Sequence, residues 1–123
     1  MIYTACFFKV EDHHGEVVSI ANSAPKMFSG NTLRSFNPPW IAVKQLKEKY
    51  IDWSKFCEIY AKHLGAIDVA TNKDVEFVKN ALVDGIDITL VCWEKTPEKC
   101  HRNLLIEWLA KELGFNIQED GMK

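Results

Sequence analysis

One stretch constrains this chain more than any other. Ile86 to Trp93, IDITLVCW, is nearly continuous in apolar and β-branched residues and has no helical spacing. A strand exposed on one face alternates apolar and polar side chains, whereas a strand covered on both faces has no need to, so this run reads as a central strand. Directly after it, Thr96-Pro97-Glu98 opens a helix. The Thr96 hydroxyl accepts from first-turn amides, Pro97 sits where a missing N–H costs nothing, and Glu98 favours the positive end of the helix dipole. Gly114 ends that helix and Phe115 to Glu119 reads as a last short strand, making residues 86–119 a right-handed βαβ unit.

The rest of the chain fits the same class. Ile2 to Phe8 and Val17 to Ala21 read as strands, joined by the polar turn Glu11-Asp12-His13-His14-Gly15, which looks like a hairpin with solvated imidazoles. Asn22 to Pro39, punctuated by Ser, Asn, Gly and Pro around Phe28, Leu33 and Phe36, reads as an ordered loop long enough for a binding role. Pro39 opens a short helix over Trp40–Lys49. Asp52 caps the next, where Trp53, Phe56, Cys57, Tyr60, Ala61 and Leu64 make one apolar stripe closed by Gly65. A third helix starts near Thr71 or Asn72, buries Val75, Val78, Ala81 and Leu82, and stops at Gly85. The expectation is one α/β domain over residues 1–123, a small three-layer Rossmann-like fold with a mostly parallel sheet of about four strands flanked by helices.

Composition narrows the function classes. With 47% hydrophobic and 26% charged residues, the chain supports one core without staples. Fifteen basic against seventeen acidic residues give a net charge of −2, so no global basic field holds a nucleic-acid backbone and any such contact is local. No apolar run reaches the roughly 18 residues that span a bilayer, so no membrane partner is expected. The N-terminal MIYTACFFKVED lacks a basic region ahead of its apolar stretch, which makes the cytoplasm the expected address. There, Cys6, Cys57, Cys92 and Cys100 are expected to be thiols.

Five reactive or charged residues gather at the strand-to-helix junction: Cys92, Glu94, Cys100, His101 and Arg102. Ligands of open α/β sheets bind beyond the carboxyl ends of strands, where helix N-terminal amides favour an anion. Alternation puts Cys92 and Glu94 on one face of the strand and Trp93 on the other. At about 100° per residue, Leu104, Leu105, Ile106, Trp108, Leu109 and Leu113 define a buried arc, and His101 and Arg102 fall inside it. An inward Arg cannot shed its proton and needs a carboxylate, carbonyls or a bound anion. Glu94 is its nearest candidate partner in sequence. The cysteine and histidine spacing matches no standard zinc pattern, and the sequence specifies no cofactor. His63, near a helix end, is read as complementing the dipole.

The segment LVCWEKTPEKCHRNLLIEWL, Leu90 to Leu109, resembles the signature of the DUF488 family, in which a strand ending Cys-x-Glu is followed by Cys-His-Arg. Val18 to Leu64 is similar to that family's N-terminal half, through Ser19-Ile20, Pro25, Phe28, Gly30, Pro38-Pro39 and the Trp53, Phe56, Tyr60 helix. The resemblance implies an α/β fold and singles out the same five residues. It lends no settled activity. Where relatives often carry a basic residue after the second strand, this chain has Asn22-Ser23, with Lys26 near enough in sequence to substitute.

The leading functional expectation is a site that binds and transforms a small anionic ligand, a nucleotide or phosphorylated metabolite. In it Arg102, Asn22, Ser23 and Lys26 contact the ligand, His101 or Glu94 moves protons, and Cys92 or Cys100 attacks. Two other readings stay open: a non-catalytic nucleotide or nucleic-acid binding module, and a structural domain braced by a buried Glu94–Arg102 pair.

Overall fold

The computed structural model describes residues 1–93 and 101–115, so Glu94, Cys100 and the helix start at Thr96-Pro97 lie outside the described residues. Three strands, β1 (Ile2–Cys6), β2 (Glu16–Ser19) and β3 (Ile88–Cys92), make one parallel sheet in the order β1-β3-β2. The IDITLVCW run is the central strand, and all five residues of β3 are buried. The expected strand at Phe115–Glu119 falls almost wholly outside the described residues, which leaves three strands rather than about four.

The described residues hold four α-helices, α1 (Trp40–Lys47), α2 (Trp53–Gly65), α3 (Lys73–Asp84) and α4 (His101–Leu113), of which α2 and α3 carry the side-chain caps that the sequence suggests. The Asp52 side chain accepts from the Lys55 amide at α2, and Asn72 accepts from Asp74 and Val75 at α3. Gly85 follows α3 in the left-handed conformation. The α2 stripe buries Phe56, Tyr60 and Leu64, while Cys57 is only half-buried and burial raises its thiol pKa.

All four helices pack on one face of the sheet. Ile2, Val18, Ile88, Leu90 and Cys92 share a core with Ala42, Phe56, Val78 and Leu105. On the other face, Ala5 and Val91 pack with Phe7, Ala21 and Phe28, so among the described residues this side of the sheet is covered by connecting segments rather than α-helices.

Residues 7–15 explain that covering and correct the expected hairpin. Cys6 pairs with Cys92 and Glu16 with Ile88, so β1 and β2 both run parallel to β3 and never pair with each other. The segment therefore returns the length of the sheet across β3, a crossover shorter than the usual dozen residues. It is fastened just before β2, where the buried Thr89 hydroxyl accepts from the His14 amide and donates to the His14 carbonyl, both at 2.7 Å. His14 stacks on Tyr3 at 3.9 Å and His13 Nε2 donates to the Cys6 carbonyl, so neither imidazole is merely solvated. No helix among the described residues is long and apolar enough to cross a membrane.

Candidate functional site

The C-terminal ends of the strands open on a cleft of about 500 Å³. Ala21, Asn22 and Ser23 line it from the loop after β2, Trp93 from the end of β3 and His101 from α4. Among the described residues, Pro38, Val43, Leu46 and Lys47 from the loop and α1 and Trp53 and Phe56 from α2 complete the lining. The strand end, the last helix and the Asn22–Pro39 loop thus meet as the sequence suggests. Lys47, Trp53 and Trp93 are site residues that sequence reasoning did not select. Trp93, an aromatic at the carboxyl end of an apolar strand, carries a local signal of its own, whereas nothing local marks Lys47 or Trp53.

The loop is a fixed wall. Thr32 bridges Ser19 at the edge of β2, the Asn22 side-chain amide donates to the Pro38 carbonyl, and Tyr60 Oη donates to the Phe36 carbonyl. Ser35 is tied to α3, its amide donating to Asp74 and its hydroxyl accepting from Asn72. His63 lies in the last turn of α2, and its Nε2 donates to the Ser35 carbonyl at 3.1 Å, which ties that helix end to the loop. Trp93 Nε1 donates to the Ser23 carbonyl and its ring meets Phe7 edge-on at 5.3 Å, which fixes that side of the cleft.

His101 is held from two sides. Its Nε2 lies 2.7 Å from the Ile20 carbonyl, and its ring stands at 90° to Tyr60. A carbonyl only accepts, so Nε2 carries the proton of that bond. Burial lowers the pKa of His101 from about 6.5 to about 4, with the Arg102 charge adding to the shift and the Ile20 bond opposing it. The ring is therefore neutral near pH 7, and Nδ1 keeps its lone pair.

This shift sets a pH dependence. The unfolded chain binds the His101 proton more readily than the native one, so the stability contribution is full above about pH 6.5 and is lost as pH falls toward 4. The expected loss is about 3 kcal/mol. His101→Gln, which keeps a donor for Ile20, should flatten this part of the curve in urea unfolding between pH 7 and 4. An unchanged acid arm would contradict the assignment.

Arg102 and Cys92 do not line the cleft. Both are fully enclosed, and Arg102 Nη1 donates to Cys92 Sγ at 3.5 Å. The inward arc expected for α4 is present, with His101, Arg102, Leu105, Ile106 and Leu109 buried, but Arg102 faces protein rather than a solvent-reachable anion. The expectation of four thiols needs correcting. Cys6 and Cys57 are free, whereas the Cys92 sulfur is in a disulfide. Chain length and composition bear on whether a fold needs a disulfide, not on which sulfurs meet. A bonded, enclosed sulfur is no nucleophile, so an attack by Cys92 first requires its reduction. Lys26 is exposed and lines no part of the cleft. Among the described residues no group of three or more His, Cys, Asp or Glu side chains is placed to hold a metal.

The sequence matches the family model DUF488-N3a, described as the active DUF488-N3 subclade, over residues 11–113. The chain belongs to the DUF488 family. The DUF488 match spans β2, β3, all four helices and every residue named above as lining the cleft, with β1 ahead of it. No curated protein and no solved structure matches the chain.

Proposed function

We propose that this DUF488 protein binds a nucleotide-like ligand in the cleft, a planar ring joined to an anionic group, and moves a proton on it. The observation that carries this reading is the lining itself, in which Trp53, Trp93 and Phe56 surround a hollow that also holds Lys47 and a neutral His101. Ligand sites of this size are mostly apolar with a few polar groups that fix orientation. The tryptophans offer π-faces to a base, and Lys47 offers a cation to a phosphate. His101 Nε2 is committed to Ile20, so Nδ1 is the basic atom left for proton transfer. Asn22 and Ser23 contribute polar edges, while Arg102 acts as a positioning residue that ties α4 to the end of β3. The family's description as active supports turnover over mere binding.

A second reading, a purely structural junction, is favoured by the Arg102–Cys92 contact. It accounts for Arg102 and leaves the aromatic lining unexplained.

Titration with adenosine monophosphate and adenosine, followed by calorimetry and NMR, tests the proposal. Lys47→Met should weaken the monophosphate about tenfold and leave adenosine unaffected, since a charge-assisted bond contributes about 1.5–3 kcal/mol. If the monophosphate perturbs no resonance of Trp53, Trp93 or His101, the reading fails.

A further inference from the structure

We infer that the ligand has two base-bearing units, and that a second subsite receives the second unit across the ridge formed by Leu46 and Trp53. The inference rests on the reading of the first cleft given above and extends it. A hollow of about 450 Å³ is lined by Leu46, Lys49, Tyr50, Ile51, Asp52 and Trp53. Leu46 and Trp53 also line the first cleft, so the two hollows share a wall of two side chains.

Among the described residues each hollow has a lysine in its lining, Lys47 in the first and Lys49 in the second, and each presents aromatic surface. Tyr50 is 77% exposed, a ring left in water where burial of an aromatic is ordinarily favourable. Asp52 Oδ1 caps α2 by accepting from the Lys55 amide at 2.8 Å. A carboxylate there repels phosphate but accepts from hydroxyls, which suits a ribose and places the phosphate toward the lysines.

The backbone adds an independent sign. Lys49 is the one non-glycine residue with positive φ among the described residues, at 63°. It sits just past α1, where glycine or asparagine is the favoured residue. A β-carbon there has a steric cost, and the side chain retained at that cost is the cation of the second hollow. Two bases, ribose and an intervening phosphate are the chemistry that matches both hollows together.

Such a ligand comes either as a free pyrophosphate-linked dinucleotide or as a diester-linked step of a single strand. Calorimetry with adenosine monophosphate, diadenosine pyrophosphate and the adenylyl-adenosine diester separates them. At least one two-unit ligand should bind about tenfold or more tighter than the monophosphate, the increment expected from one more stacked base. Which of the two gains identifies the linkage. Tyr50→Ala should remove that gain and leave monophosphate binding unchanged. Lys49→Gly should raise the melting temperature by a few degrees and reduce the gain. Equal affinity for one- and two-unit ligands, or a gain that survives Tyr50→Ala, overturns the second subsite and leaves the first cleft standing. No binding of any of the three at millimolar concentration sinks both.

Discussion

Arg102→Ala is expected to cost about 3–5 kcal/mol, a large part of the total stability of a domain this size. Arg102 is the largest fully buried side chain among the described residues, placed in the first described turn of α4 against the end of β3. Truncation removes its hydrogen-bonding fork and leaves a cavity between helix and sheet. Arg102→Met restores most of the volume without the charge and should recover at least half of the loss. Guanidinium chloride unfolding of the three proteins measures both. A cost below about 1 kcal/mol for the alanine variant would show that the arginine is not the brace described here. Parity of the methionine variant with the parent would show that it braces by volume alone.

The second large effect belongs to Gly15. Its φ is +63°, and a β-carbon built there would stand 1.9 Å from the Asp87 carbonyl oxygen, at the point where the crossover meets the start of β3. The Glu16 amide donates to that same carbonyl at 3.0 Å, so backing away would break the first bond joining β2 to its neighbour. Gly15→Ala should therefore cost about 3 kcal/mol or more, the left-handed strain plus displaced backbone. Gly85→Ala is the control. It has the same sign of φ, +68°, with nothing within 4 Å, so only the conformational term of about 1 kcal/mol should appear. Thermal unfolding and amide exchange across β2 compare the two, and equal losses would dismiss the steric account.

Much of the fold is legible in the sequence because it follows from local chemistry. IDITLVCW has no polar face to show water and became the central strand. Asp52 and Asn72 sit where orphan amides need an acceptor, and both cap as expected. The α4 wheel turned His101 and Arg102 inward because Leu105, Ile106 and Leu109 fix which side of the helix is buried.

The misreadings share one origin. Glu11 to Gly15 carries a turn signal, and a turn signal does not say whether the following strand reverses onto its predecessor or is carried across a third strand. That choice depends on β3, which lies far along the chain and gives each of the other two strands its only strand partner among the described residues. Lys26 is near Asn22 and Ser23 in sequence, yet the lysine that lines the cleft among the described residues is Lys47, brought there by the packing of α1. Cys92 looked like a presented thiol at a strand end, and it is enclosed and bonded.

Local pattern alone carries the class of fold, the ends of α2 and α3, and the inward turn of His101 and Arg102 on α4, because caps, periodicity and strand burial act over a few neighbouring residues. Long-range packing sets strand direction, the connecting segments behind the sheet, and the separation of an enclosed Arg102–Cys92 brace from a cleft where His101 and Trp93 meet Trp53 of α2 and Lys47 of α1. Those outcomes depend on which distant surfaces come together to exclude water, and no local pattern encodes that meeting.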